Sequence, residues 1–179
     1  MKELILKAQE GDKEAFTQAI MEIKNNLYKI AKVKTTNEDD IQDIIQDTMI
    51  DAYKYIKKLK EPNNFKAWII KILINNCNKY YRKKYKDNEV YDNYDIEFYR
   101  ENIKYSKDQQ LIEDTLDFYS MIKQLKYEER IIIVLYYSEN YTTKEISNIL
   151  RVNENTVKTR LSRAKEKIKN TYKGGQKNG

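Results

Sequence analysis

The sequence predicts an all-α protein: two small helical domains joined by an acidic linker, the C-terminal one a helix-turn-helix. Three observations carry that expectation. One proline and four glycines in 179 residues leave little to interrupt helices. Apolar residues recur at the helical period on both sides of residues 87–108. Charge falls in blocks, net +6 over residues 1–86, −7 over 87–120 and +7 over 121–179, so two basic modules flank an acidic strap. Such blocks suit two surfaces for a polyanion and a segment repelled by it; solvated faces with a disordered connector are the plainer account.

Composition removes several function classes. A single cysteine, Cys77, and the absence of histidine exclude internal disulfides, Cys/His metal sites and histidine acid–base chemistry. No metal or cofactor is expected, and no catalytic residue is assigned. There is no run of about 18 apolar residues, and Glu3, Lys7, Glu10 and Asp12 break the opening stretch. Neither a membrane span nor a signal peptide is expected, and a cytoplasmic location follows.

Asp12 is a candidate N-cap for a first helix marked by Phe16, Ile20, Ile23, Leu27 and Ile30. A second helix runs over about residues 38–59, with Ile41, Ile45, Met49, Ala52 and Ile56 toward the core and acids in its first turn, where the helix dipole favours them. Pro62, Asn63 and Asn64 end it in a loop. The third helix starts near Phe65, buries Trp68, Ile69, Ile72 and Leu73, and turns basic through Lys79, Arg82, Lys83 and Lys84. These helices make a first domain over residues 1–86. Over 87–108 the periodicity fades while acids and Tyr91, Tyr94 and Tyr99 accumulate, which defines the linker.

The second domain spans 109–174, followed by a flexible tail over 175–179. Ile112, Leu116, Tyr119 and Ile122 mark a fourth helix, and residues 131–137 lie in a fifth. Thr142 and Glu145 form a capping box, with Tyr141 and Ile146 as a hydrophobic staple around it. Ile146, Ile149 and Leu150 face the core. A tight turn at Arg151, Val152 and Asn153 follows, with Asn153 capping the last helix and Val152 stapling to Val157. Two helices joined by three residues make a helix-turn-helix.

On the last helix Val157, Leu161, Ala164 and Ile168 form one apolar stripe. The opposite face carries Asn155, Lys158, Thr159 and Ser162, able to hydrogen-bond base edges in a major groove, with Arg160 and Arg163 flanking near phosphates. The second helix is opposite in sign. Asp40, Asp43, Asp47 and Asp51 share one side of it, and no base lies between Glu38 and Asp51. That stripe cannot face DNA. A basic protein partner is the economical reading, with Ile44 and Ile50 adding apolar contact; a solvated face remains open, and a divalent metal would need convergent ligands from elsewhere.

Three stretches in order, Asp40 to Tyr53, Phe65 to Ile69 and Thr142 to Arg163, resemble RNA polymerase sigma factors of the extracytoplasmic-function type, with domains two and four only. The stretch from Thr156 to Ala164 looks like the family's recognition helix, and Asp43, Gln46 and Thr48 fit its polymerase-binding helix. The resemblance implies a promoter-specificity subunit that is not itself an enzyme. It implies that Asp40, Asp43, Ile44, Gln46, Asp47, Ile50 and Asp51 bind the clamp helices of the largest polymerase subunit, with the fourth domain at the flap of the second-largest. Asn75 matches the family's base-binding asparagine; Asn63, Asn64 and Phe65 are loop candidates for capturing an unpaired minus-ten base, and Lys79, Arg82, Lys83 and Lys84 would hold phosphates. Asn155, Lys158, Thr159, Arg160, Ser162 and Arg163 would read the minus-thirty-five element. The acidic linker would thread the polymerase's RNA channel, and an anti-sigma factor is a further implied partner. Richness in Lys, Asn, Ile and Tyr is similar to that of an AT-rich, clostridia-like source.

The chain departs from the family pattern at several points. Leu125, Lys126 and Tyr127 lack the proline common in their turn, Arg151 stands where glycine is frequent, so a less sharp turn is expected, Asn155 replaces a small residue and Ser162 is short. Two other readings stay open: a stand-alone helix-turn-helix regulator, which leaves the acidic stripe unexplained, and a nucleic-acid enzyme working through the carboxylates.

Overall fold

The computed structural model describes residues 1–84 and 118–175, with side chains described for 1–83 and 118–170. The expected linker, its tyrosines, Ile112 and Leu116 lie outside the described residues, as does the tail from residue 176. The chain divides into two compact units, Met1–Tyr91 and Asp92–Gly179. Among the described residues all regular structure is helical.

The N-terminal unit opens with α1 (Lys2–Glu10) and α2 (Lys13–Lys32), joined by Gly11 and Asp12. Gly11 sits at φ 109°, in the left-handed region, and its N–H and that of Asp12 bond the carbonyls of Ala8 and Lys7. Asp12 then caps α2 by accepting the Ala15 N–H at 3.0 Å. α1 is absent from the sequence-based expectation. Its buried residues are Ile5 and Ala8, too short a pattern among Glu3, Lys7 and Glu10 to declare a helix.

α3 (Glu38–Tyr55) starts on Asn37, whose side chain accepts the Asp40 N–H at 2.9 Å. Its buried side is Ile41, Ile44, Thr48 and Ala52, not the expected run through Ile45 and Met49, which are half-exposed. Thr48 accounts for the difference: its hydroxyl donates to the Ile44 carbonyl at 2.7 Å, so a polar residue can occupy the core side. Two 3-10 turns, Ile56–Lys58 and Pro62–Asn64, lead into α4 (Phe65–Lys84). α4 buries Phe65, Ile69, Ile70, Leu73, Ile74 and Cys77, while Trp68 and Ile72 stay half-exposed, contrary to expectation. Burial pushes the Cys77 thiol up to about 12, which makes it a core residue and not a nucleophile. α2, α3 and α4 pack on one another, and α1 lies against α2 and both 3-10 turns.

In the C-terminal unit a helical stretch over residues 118–122 buries Tyr119 and Ile122. α5 (Tyr127–Ile133) follows and continues as a π turn, Val134–Ser138. Then come α6 (Thr143–Leu150) and α7 (Glu154–Gly175). Arg130 of α5 is 1% exposed and donates to the Leu125 carbonyl at 2.8 Å, fixing the turn that joins the 118–122 stretch to α5. Glu129 beside it accepts the Lys126 N–H at 3.1 Å and the Lys167 ammonium at 2.8 Å, tying α5 to α7. Burial acts to raise the Glu129 carboxyl, but these donors overcome it and hold the group below its usual range.

Assigning Ile44 to the core has a measurable consequence. Ile44→Ala should cost the N-terminal unit about 2–5 kcal/mol, whereas Ile50→Ala, with Ile50 57% exposed, should stay within about 0.5 kcal/mol of the parent. Urea unfolding followed on Trp68, the chain's one tryptophan, reports this unit directly. Equal midpoints for the two variants would return Ile44 to the surface.

Candidate nucleic-acid and protein interfaces

The helix-turn-helix is built by local side-chain to backbone bonds. The Thr142 Oγ1 accepts the Glu145 N–H at 3.2 Å, and Glu145 accepts the Thr142 N–H at 2.8 Å, the expected capping box. The Thr142 hydroxyl also donates to the carboxylate at 2.8 Å, and the backbone bond, then this one, holds the Glu145 carboxyl below its usual range. The turn is not loosened by lacking glycine: Arg151 itself takes φ 55° and ψ 44°, and the Val152 N–H closes on the Ser147 carbonyl at 3.1 Å. A non-glycine residue there costs roughly 1–2 kcal/mol, which the packed helices on either side must offset. Asn153 opens α7, its side chain accepting the Asn155 N–H at 2.8 Å.

α7 turns Val157, Leu161 and Ala164 inward, with Ile168 half-exposed at the far end of that stripe. Asn155, Lys158, Thr159, Ser162 and Arg163 are exposed on the outward side of one helix, and half-exposed Arg160 lies on its flank. Sequence reasoning missed Glu154. Its carboxylate meets the Lys158 ammonium at 2.9 Å and accepts the Thr143 hydroxyl at 2.9 Å, bridging α6 and α7. The Lys158 bond, then the Thr143 bond, holds this carboxyl below its usual range. The i, i+4 spacing of Glu154 and Lys158 was the available signal.

The N-terminal unit separates its charges between two helices. On α3, Asp43, Gln46, Asp47 and Ile50 are exposed at helical spacing on one stripe. Two residues expected there are not surface groups. Ile44 is fully buried, and Asp40, 4% exposed, accepts the Tyr80 hydroxyl at 2.9 Å. Asp51 is half-exposed and accepts from the Asn76 amide at 3.1 Å. At the first residue of α3, Glu38 accepts the Tyr28 hydroxyl at 2.6 Å and meets the buried Lys32 ammonium at 3.4 Å, linking α2 to α3. Burial lowers the Lys32 pKa while Glu38 works against it; burial, then Glu38, raises that of Tyr28.

On α4 the neighbours Asn75 and Asn76 part ways. Asn75 is exposed, while Asn76 is buried against Thr48 and Asp51. Lys79, Arg82 and Lys83 are exposed; the Lys84 side chain lies outside the described residues. Asn63 and Asn64 are exposed on the second 3-10 turn. Phe65 is a correction: at 0% exposure it belongs to the core and cannot stack on a base, whereas Trp68, 6.0 Å from it between ring centroids, is half-exposed. Among the described residues no three acidic or sulfur side chains converge as a metal site requires. None of the described helices is long and apolar enough to cross a membrane.

These features define a two-unit helical protein with a helix-turn-helix in its second unit. Residues 19–86 match the family Sigma-70 region 2, and residues 115–168 match Sigma-70, region 4. RNA polymerase sigma factor SigV of Bacillus subtilis (strain 168) is 31% identical over 89% of this chain and 92% of its own length. ECF RNA polymerase sigma factor SigW of the same organism is 29% identical over 94% and 95%. The fold is shared with CnrH, solved with the cytosolic domain of CnrY, at TM-score 0.69 and 22% identity over 97% of each chain. It is shared too with sigma factor RpoE of Bartonella quintana, solved with the anti-sigma factor NepR, at TM-score 0.67 and 20% identity over 88% of this chain and 96% of that one. The chain belongs to the extracytoplasmic-function sigma factors of RNA polymerase. As such it binds core polymerase and directs promoter-specific initiation, through minus-ten recognition by region 2 and minus-thirty-five recognition by region 4.

Glu154→Gln should release Lys158 and remove a charge that repels phosphate. Affinity of the full chain for duplex DNA should rise about three- to tenfold at low salt, with the gain shrinking as salt is added. Fluorescence anisotropy at two salt concentrations measures this. Unchanged affinity at both would place the pair away from the DNA.

Proposed function

We propose that the α3 stripe of Asp43, Gln46, Asp47 and Ile50, with Asp51 at its edge, is the surface that binds the clamp helices of polymerase. The observation that carries this is the segregation of charge within one small unit: an exposed acidic stripe on α3 and exposed bases at the end of α4. A surface of aspartates is repelled by DNA and attracted by a basic protein groove, and Ile50 supplies apolar area at the centre of such a contact. Asn63, Asn64 and Asn75 then take the unpaired minus-ten base, with Lys79, Arg82, Lys83 and Lys84 on its flanking phosphates. Asn155, Lys158, Thr159, Ser162 and Arg163 read minus-thirty-five base edges, with Arg160 on the backbone.

The domain limits that go with this reading are 1–86 for region 2, 87–108 for the linker and 109–174 for region 4, whose flap contact lies on the second-largest subunit. The net −4 over residues 87–108 suits a segment that occupies a channel built for RNA. The chain contributes specificity and no catalytic group of its own, and it acts in the cytoplasm, where polymerase is. Since the related fold of RpoE was solved bound to an anti-sigma factor, an inhibitor of that class is the regulatory partner proposed here.

Purified chain added to core polymerase should yield run-off transcripts from promoters that core alone ignores. No transcript, together with tight duplex binding by the free chain, would favour a stand-alone regulator. Asp43→Ala combined with Asp47→Ala should lower co-purification with core by about tenfold or more while leaving affinity for a minus-thirty-five duplex intact; full retention of core would count against this face. Lys158→Ala should relax the choice of upstream element, whereas Lys83→Ala should weaken binding more evenly across sequences. A promoter panel giving the reverse would exchange the two roles.

A further inference from the structure

The segment between α3 and α4 carries Asn63 and Asn64, and its own hydrogen bonds are those of short turns: Leu59 N–H to the Ile56 carbonyl at 3.1 Å and Asn64 N–H to the Glu61 carbonyl at 2.9 Å. Turns of this length are poorly determined by local bonds alone. A distant residue adds to them. The Gln9 side-chain amide, on α1, donates to the Ile56 carbonyl at 3.0 Å and to the Leu59 carbonyl at 2.7 Å, across 47 and 50 residues of chain.

The chemistry of this contact is specific. The Ile56 carbonyl already accepts the Leu59 N–H within its turn and has a second lone pair to offer, the Leu59 carbonyl lies just past that turn, and a primary amide carries two N–H groups that can serve both at once. Gln9 is itself held in place. Ile5 and Ala8 are buried on the same short helix, and the left-handed Gly11 with the Asp12 cap fixes how α1 leaves α2. α1 also lies against both 3-10 turns. A rigid path therefore runs from α2 through α1 and Gln9 to the backbone at the start of the loop.

We propose that Gln9 is a positioning residue for minus-ten recognition: without touching DNA, it holds residues 56–64 in the shape that presents Asn63 and Asn64 to the unpaired base. This rests on the reading of that loop as base-capturing. Removing the amide leaves Ile5 and Ala8 buried, so the unit stays folded. What falls is the fraction of loop in the competent shape, and apparent affinity for the base falls with it.

The test uses holoenzyme assembled from core polymerase and the full chain. Promoter duplexes carry 2-aminopurine in the minus-ten element, and a second panel carries single-base changes at minus-ten or minus-thirty-five. Gln9→Met, similar in length but with no donor, should slow unpairing and flatten minus-ten discrimination by about three- to tenfold. Minus-thirty-five discrimination and retention of core should be unchanged. Gln9→Lys, whose ammonium can donate to the same carbonyls at a helix C-terminus, should recover part of the loss. The double variant Asn63→Ala with Asn64→Ala is the reference and should flatten minus-ten discrimination by itself. If the asparagine variant does so and Gln9→Met behaves as wild type, the role of Gln9 is refuted and the loop reading stands. If the asparagine variant also discriminates normally, both fall. Parallel losses at minus-thirty-five and in core retention with Gln9→Met would mark general destabilisation and overturn the proposal too.

Discussion

The rotation of α4 against α3 is the constraint on which the N-terminal unit depends, and buried polar groups set it. Asn76 reaches Thr48 at 3.4 Å and Asp51 at 3.1 Å, and Tyr80 reaches Asp40 at 2.9 Å. Isoleucine and leucine faces such as those of Ile69, Ile70, Leu73 and Ile74 can pack in more than one rotation. An amide and a carboxylate cannot, because a buried polar group left without a partner costs about 1–3 kcal/mol. Turning α4 by one residue, about 100°, would strand both contacts at once. The consequence for function is immediate. With Asn76 inward, Asn75 is outward; with Asp40 and Asp51 at the edge of the buried side, Asp43 and Asp47 lie further round α3 on its exposed side.

What could be read in the sequence was what local chemistry decides. The capping box at Thr142 and Glu145, the cap at Asn153 and the cap at Asp12 each join residues within a few positions, so spacing alone reveals them. The recognition helix was legible for the same reason: Val157, Leu161 and Ala164 form a single apolar stripe among many bases in the described part of α7. α3 was harder, because Ile41, Ile44, Ile45, Met49 and Ile50 surround much of its circumference and Thr48 hides its polarity in a backbone bond. A wheel can rank such faces only by hydrophobicity. Tertiary packing chose Ile44 and Thr48, and so removed Ile44 and Asp40 from the surface expected to meet polymerase.

Phe65 and Arg130 failed to be read for opposite reasons. Phe65 follows a loop of asparagines and looked available for stacking, yet it is the first residue of α4 and closes the core against that loop. Arg130 belongs to a basic segment and invites a surface assignment. Its guanidinium instead serves the Leu125 carbonyl in the turn before α5, a demand set by three-dimensional proximity and not by pattern. Lys32, held by Glu38 at the α2–α3 junction, is a similar case. Buried cations of this kind cost desolvation, which only close, well-oriented partners offset.

The contact between Glu154 and Lys158 bears on how a basic helix can be selective. A helix rich in lysine and arginine binds any duplex through its phosphates, and that affinity carries no sequence information. In the free protein Lys158 is engaged by Glu154, which Thr143 orients from α6. On the proposed reading, contact with DNA must replace that ion pair, and a phosphate at arm's length recovers less of its energy than a bidentate contact to a guanine edge. The carboxylate therefore subtracts more from nonspecific than from specific binding, and specificity is a difference of the two. The same logic extends to the whole chain: two modest DNA surfaces in separate units gain their joint strength only on a promoter that offers both elements within reach of one polymerase.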